Sequence, residues 1–170
     1  MGSGLRALDR ISHLIGVVRG AADPARVLGA RPCADMFTAA EQIDIAIGFT
    51  LRLAMPPAGC AVPEMGRGDL TVAGLEAHVG AARKLLKNLA LSDYAGAGQR
   101  RVRHRAGFAD LDQAGQDYIF DFALPNLAFH VTAAYLALKG AGLALGKADF
   151  DGVHSYPVGF SFVQDDSPSP

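Results

Sequence analysis

The sequence predicts an all-α fold, a four-helix bundle with a short hairpin or loop excursion before the last helix. Apolar residues recur at spacings of three and four along four segments, and proline or glycine clusters separate these segments. Between the third and fourth segments, a glycine-punctuated stretch alternates with the period of two that is typical of strands. The chain has 170 residues, half of them hydrophobic, which suits one domain with its own core.

The first two helices are delimited by glycine and proline. The first extends over residues 5–19, where the apolar positions form one stripe, and Gly20 and Pro24 end it. The second begins after Pro32, with Asp35 as its N-cap. It ends near Met55, because two prolines follow.

The last two helices flank the excursion. The third begins at Asp69, which can cap the free amides of its first turn, and ends near Ser92. Residues 91–115 are expected to form the hairpin or loop. The fourth helix begins near Gln116 and ends at the glycine cluster of residues 140–142.

The fourth helix is apolar enough to raise the question of a membrane span. Residues 118–138 could cross roughly 30 Å of hydrocarbon in a helical conformation. However, Asp121, Asn126 and His130 are costly in hydrocarbon, and Pro125 kinks the helix. We therefore expect a fully buried helix at the centre of a soluble, cytoplasmic protein with no membrane partner.

Charge and cysteine content exclude several functional classes. The net charge of -1 and the pI near 6.5 give no electrostatic footprint for nucleic acid. Cys33 and Cys60 are far from CxxC spacing, so we expect free thiols. The domain is expected to comprise residues 1–152, followed by a tail over residues 153–170 whose end, residues 165–170, is polar enough to be disordered.

Several strings of residues resemble a bacterial family of unknown function in the DinB/YfiT-like superfamily. The strings in the fourth helical region are Gly115-Gln116-Asp117-Tyr118, residues 122–126, His130-Val131-Thr132 with Ala134-Tyr135, and Leu145-Gly146-Lys147 with Asp149-Phe150. The strings in the second helix are Asp35-Met36-Phe37, Gln42 and Ile45-Ala46. The resemblance covers residues 5–152. It implies an up-down-down-up four-helix bundle and commonly a homodimer.

The resemblance also implies a divalent-metal site, because many superfamily members bind a metal through one histidine of the second helix and a HxxxH pair on the fourth. His130 matches the second histidine of the pair, but Asn126 stands at the first and Phe49 at the second-helix position. Asp121 stands where a further histidine is often found. An amide is a poor ligand and Phe49 cannot bind a metal at all. We expect a degenerate site without a metal cofactor, in which His130 would be the best ligand if zinc or nickel bound.

The remaining polar residues near His130 predict a small pocket. We expect its lining to comprise Gln42, Phe49, Asn126 and His130, next to the kink at Pro125. In this interpretation His130 is a neutral core histidine whose ring nitrogens bond Asn126, Gln42, a tyrosine or a buried water. By helical spacing Asp121 faces elsewhere, with its side chain in solvent or at an interface.

His78 is the other histidine considered for the pocket. It lies beside the apolar seam of the third helix and could face the pocket. We expect it instead to be half-exposed and inert, as flanking histidines usually are.

Three functions remain open. The favoured one is a non-catalytic or small-ligand-binding bundle. The second is an enzyme that depends on a metal or a thiol cofactor and uses His130 as ligand or general base. The third is a dimeric scaffold that binds a partner through exposed apolar helix faces. No nucleophile or phosphate-binding motif is present to establish catalysis.

Overall fold

The computed structural model describes residues 2–66, 68–157 and 160, and the tail end for which we expect disorder lies outside them. The protein is mostly helical. The helices are α1 (Gly2–Arg19), α2 (Pro24–Leu28), α3 (Ala39–Ala54), α4 (Val72–Lys87), α5 (Gly115–Asp117), α6 (Leu124–Gly140) and α7 (Lys147–Asp151), with a π-helical segment, Tyr118–Ala123, joining α5 to α6.

Helix α3 lies at the centre of the packing. It contacts α1, α4 and α6, and α1 also packs against α4. Most of its side chains are buried, including Ile43, Ile47 and Leu51, which are each 1% exposed or less. Any polar group on α3 is therefore either satisfied by a neighbouring helix or directed into a space between helices.

The start of α3 differs from the prediction. Thr38, and not Asp35, is the N-cap: its hydroxyl accepts from the Glu41 amide at 3.3 Å, while the Glu41 carboxylate accepts from the Thr38 amide at 2.8 Å. This reciprocal arrangement satisfies two amides that the helix leaves free. Asp35 lies in the exposed turn before the helix.

The start of α4 is displaced in the same way. Thr71 is the N-cap and accepts from the Gly74 amide at 3.2 Å. Asp69 lies before this N-cap and does not cap the helix itself. Its carboxylate accepts from the amide and the hydroxyl of Thr71 at 3.0 and 2.8 Å. The helix ends at Lys87, five residues before the predicted end at Ser92.

The excursion before the last helix is a hairpin. The fold is therefore not all-α as predicted, because it also contains one small sheet. Strands β1 (Arg101–Ala106) and β2 (Ala109–Ala114) pair antiparallel, with Ala106 opposite Ala109. Only Gly107 and Phe108 connect them, and Gly107 adopts a φ of +59° that favours glycine.

Two short helices were not predicted. Pro24 was interpreted as a stop, but it opens α2 behind the N-cap Asp23, whose carboxylate accepts from the Arg26 amide at 3.0 Å. Proline suits this position because the first helical turn does not use its amide. Helix α7 follows Gly146 and packs on α1.

The long apolar helix is not central, in contrast to the expectation. The run Gly115–Gly140 is long and apolar enough to cross a membrane by length and composition, a property that core helices share, but only 22% of its most apolar window is buried. Phe120, Phe129 and Leu136 are each more than half exposed. The apolar surface of this helix therefore points partly outwards, as an interaction surface would.

Two glycines of α4 allow a matched test of this packing. A Cβ at Gly74 would overlap the carbonyl oxygen of Asp69, whereas a Cβ at Gly80 would meet nothing within 4 Å. We expect Gly80→Ala to stabilise the protein by about 0.5–1 kcal/mol through helix propensity. Gly74→Ala should instead destabilise it by about 1–3 kcal/mol, since the N-terminal turn must move. Chemical denaturation of both variants measures the difference, and an equal stabilisation by both would contradict the described turn.

Candidate functional site

One cavity of about 840 Å³ lies along a single stripe of α3. Asp44, Gly48 and Arg52, spaced four residues apart, form this stripe together with Phe49. The facing walls come from the π-helical segment and α6, from α4, from the connection between α3 and α4, and from the hairpin turn. The lining residues from these walls are Phe122, Asn126, His130, His78, residues 62–66 and residues 105–107.

His130 is held in place by a buried amide. Its Nδ1 lies 2.7 Å from Oε1 of Gln42, and Gln42 is only 1% exposed. Because that oxygen accepts, Nδ1 carries the hydrogen and the neutral ring keeps a lone pair on Nε2. Burial, together with the positive charge of Arg52, holds the pKa of His130 below its usual 6.5. His130 therefore offers an acceptor, or a base, to the cavity.

Phe49, which the resemblance aligns with a metal-binding histidine, packs against His130. Its ring stacks on His130 with centroids 5.5 Å apart and planes 21° from parallel. It also contacts the ring of Phe122 at 5.7 Å. Phe49 therefore provides an apolar wall and has no atom that could bind a metal.

Gln42 and Asn126 are placed differently from the predicted lining. Gln42 lies behind His130, outside the cavity wall, where it orients the imidazole. Asn126 does line the cavity, but its amide nitrogen donates to the carbonyl of Phe122 at 2.7 Å and not to His130. Asp121 is exposed and is not part of the wall.

A second histidine also lines the cavity. Nδ1 of His78 lies 2.6 Å from Oδ1 of Asp44, and both side chains are largely buried. His78 is 9% exposed, so the half-exposed surface position expected for it is wrong. Its Nε2 is buried and has no hydrogen-bond partner within the described part of the chain. Asp44 was not recognised from the sequence, although an acidic residue between Ile43 and Ile45 signals a buried partner.

Arg52 contributes a positive charge to the cavity, whose wall also includes the exposed Glu64. Its guanidinium lies over the Phe49 ring, 5.1 Å from the centroid. Within residues 2–66, 68–157 and 160 it has no acidic partner, whereas the other lining arginine, Arg105, pairs with Asp110 at 3.6 Å. Asp44 is already engaged by His78. A cation without a counter-ion in a concave site favours an anionic ligand.

The donor set does not fit the metal site that the resemblance implies. Gln42 Oε1 is occupied by His130, the Asn126 amide is engaged with its own helix, and Phe49 has no donor atom. In the described regions, no group of three or more His, Cys, Asp or Glu residues is placed to hold a metal ion. The nearby charge of Arg52 also disfavours a cation beside His130.

Comparisons with known proteins support the suspected relationship. The family model described as "Domain of unknown function (DUF1993)" matches residues 5–151. A crystal structure of a DinB family member protein from Shewanella denitrificans superimposes with a TM-score of 0.77 at 23% identity, covering 90% of this chain and 91% of that chain. At that identity the likeness shows the fold alone. No curated protein is matched.

The His130 environment predicts a specific titration. His130 should titrate below 6.5, and Arg52→Met should raise its pKa towards that value by removing the positive charge. Because the folded pKa is lowered, the stability that His130 contributes is present above the unfolded pKa and is lost as pH falls through the folded pKa. NMR titration of the histidine rings measures this.

Arg83→Met is the matched control for that titration. Arg83 pairs with Asp9 at 2.7 Å, away from the cavity, so its removal should leave the pKa of His130 unchanged. A parent pKa at or above the ordinary value, or an equal response to both arginine variants, would contradict the described electrostatics.

Proposed function

This chain belongs to the DUF1993 family of unknown function, and on that premise we propose that it binds a small amphipathic carboxylate in the cavity beside His130. The observation that carries the proposal is the position of Arg52, a cation without an acidic partner in the described structure, next to two aromatic rings and a histidine acceptor. These groups match three parts of one ligand: an anion, an apolar body and a hydrogen-bond donor.

The anion is the best-defined part of the ligand. A guanidinium presents paired N–H donors in a plane, which matches the two oxygens of a carboxylate. The carboxylate of Asp44 is engaged by His78, and that of Glu64 belongs to an exposed residue. A bound carboxylate would therefore pair with Arg52 without breaking an ion pair of the described residues.

The apolar body and the donor of the ligand are matched by groups that lie beside Arg52 and across from it. Phe49 and Phe122 form a tilted aromatic pair that can contact a ring or short chain. His130 Nε2 can accept from a hydroxyl or amide of the same ligand. Binding in this arrangement requires neither a metal nor a catalytic nucleophile.

Gly48 keeps the space open for Arg52. A Cβ at this position would lie 3.0 Å from Nη1 of Arg52, so a larger side chain would displace the guanidinium and enter the cavity. In addition, we propose that the helices follow the up-down-down-up order of the DinB superfamily, and that the protein is cytoplasmic and uses no metal cofactor.

Binding can be measured with 3-phenylpropionate and its neutral amide, 3-phenylpropanamide, as probes. We expect the carboxylate to bind more tightly than the amide, and Arg52→Met to weaken carboxylate binding by about tenfold, the equivalent of one charge-assisted contact. Amide binding should not change. Gly48→Leu should abolish binding of both, because it fills the cavity. Isothermal titration calorimetry gives the affinities, with Arg83→Met as the matched control.

Two outcomes would contradict this proposal. Equal affinity for the carboxylate and the amide would remove the role of Arg52. Near-stoichiometric zinc, nickel or iron in tag-free protein, lost in His130→Ala, would instead favour the metal-dependent enzyme. A thiol-cofactor enzyme using His130 would be favoured by binding of a thiol in place of the carboxylate probe.

The exposed face of α6 supports a second candidate function, assembly of two copies of this chain. Phe129 and Leu136, at 55% and 52% exposure, lie on one apolar groove with Pro32, Cys33 and Met36. Side chains of this size are rarely exposed together on a monomer. We propose that this α6 face is the homodimer interface, and that a scaffold role would depend on it.

The oligomeric state of the full chain tests the interface. We expect a dimer in sedimentation analysis, and a monomer when Phe129→Asp and Leu136→Asp place charges in the apolar face. Leu91→Asp is the control, because Leu91 is 81% exposed outside this groove. A parent protein that is monomeric, or that associates only with lipid vesicles, would contradict the dimer.

A further inference from the structure

We propose that Asp44 and His78 form an acid–base pair, in which His78 Nε2 removes a proton from a ligand or a water held in the cavity. The proposal rests on the proposed function, because Arg52 holds the carboxylate of that ligand. It adds chemistry to the binding site and assigns it to residues of α3 and α4, whereas His130 belongs to α6.

The geometry of the pair determines which nitrogen is the base. The Asp44 carboxylate accepts from Nδ1 of His78 at 2.6 Å, a short distance that indicates a charge-assisted bond. An ionised carboxylate requires hydrogen on Nδ1, so the neutral ring carries its lone pair on Nε2. The same contact stabilises the imidazolium that forms once Nε2 has taken a proton.

Nε2 is the atom of the pair that a ligand would contact. This nitrogen is buried without any hydrogen-bond partner in the described structure. Leaving a buried polar atom unpaired is destabilising, because the atom has given up its hydrogen bonds to water. A ligand atom that donates to Nε2 would remove that cost.

Two other Asp–His pairs of the chain lack these properties. His13 pairs with Asp149 at 2.8 Å, and His154 pairs with Asp151, but the histidine side chains of both are 43% exposed. Neither pair lines the cavity. Burial and position therefore distinguish the Asp44–His78 pair, and the exposed His13 pair is a natural control for it.

The composition of the wall limits the reaction class. Among the described residues that line the cavity there is no Ser, Thr, Cys, Tyr or Lys. The described wall therefore offers no hydroxyl, thiol or amine nucleophile. The role proposed for His78 is that of a general base, with the proton taken from water or from the ligand itself.

Gly68, between α3 and α4, lies close to the pair, because a Cβ on it would lie 4.0 Å from Nδ1 of His78 and 3.9 Å from Oδ1 of Asp44. A glycine at this position therefore lets the backbone lie close to the bond between the two side chains.

Ester hydrolysis provides a probe whose atoms balance without a cofactor. His78 Nε2 takes a proton from water, and the water oxygen bonds to the ester carbonyl carbon. The bond from that carbon to the p-nitrophenolate oxygen then breaks, and the proton on Nε2 passes to solvent. Mono-p-nitrophenyl adipate carries the carboxylate for Arg52, and p-nitrophenyl hexanoate is its neutral counterpart of equal chain length.

We expect the full chain to hydrolyse the adipate ester faster than buffer does, and with a higher kcat/KM than the hexanoate ester. His78→Gln should lower kcat by about 100-fold or more, the usual contribution of a general base, with KM nearly unchanged. Asp44→Asn should also lower kcat and not KM, because an amide no longer imposes hydrogen on Nδ1. His13→Gln should have the parent rate.

Other outcomes overturn the proposal. These are no hydrolysis above buffer, a parent rate in His78→Gln, or a loss of rate in His130→Gln alone. If a His78 variant does not fold, nitrogen NMR of the imidazole rings of the parent protein provides the test. Adding 3-phenylpropionate should shift the His78 resonances, and His78 resonances that do not shift would overturn the role of the pair. Binding of that probe without ester hydrolysis would reject the acid–base pair and retain the proposed function.

Discussion

The position of the cavity depends on how the polar side chains of α3 are satisfied. Gln42 bonds His130 of α6, and Asp44 bonds His78 of α4, so the central helix is joined to two neighbours by hydrogen bonds to imidazole rings. Each bond adds about 1 kcal/mol to stability, but losing one partner would leave a buried polar atom and cost more. This asymmetry restricts both rings to one orientation. The space between them, along the Asp44, Gly48 and Arg52 stripe, is the cavity.

The two histidines differ in the groups around them, although both have Nδ1 bonded to an oxygen of α3. A neutral amide orients His130, and burial with the Arg52 charge lowers its pKa. A carboxylate orients His78 by accepting from its Nδ1. The first ring therefore presents a neutral acceptor, and the second belongs to the acid–base pair that we propose.

Local patterns in the sequence predicted the helices better than they predicted the site. Spacing located the four long segments and the hairpin, and the resemblance led to His130, Phe49 and Asn126. The N-cap of α3 was missed although Thr38 and Glu41 form a recognisable capping box. The burial of the last helix was misjudged, because a run that is apolar on nearly every side carries no information about which face is inside. Asp44 and His78 are 34 residues apart, and no local pattern predicts such a contact.

The charge of Arg52 bears both on the poor fit to a metal ion and on the proposed chemistry. The wall beside His130 is the Phe49 ring, which stacks on the imidazole, and Arg52 lies over that same ring. A guanidinium there raises the local potential, which disfavours both a proton and a metal cation on His130 Nε2. The same potential favours a carboxylate. The aromatic wall and the arginine without an acidic partner among the described residues therefore both favour the anionic ligand that we propose, and the Asp44–His78 pair would supply the proposed proton transfer.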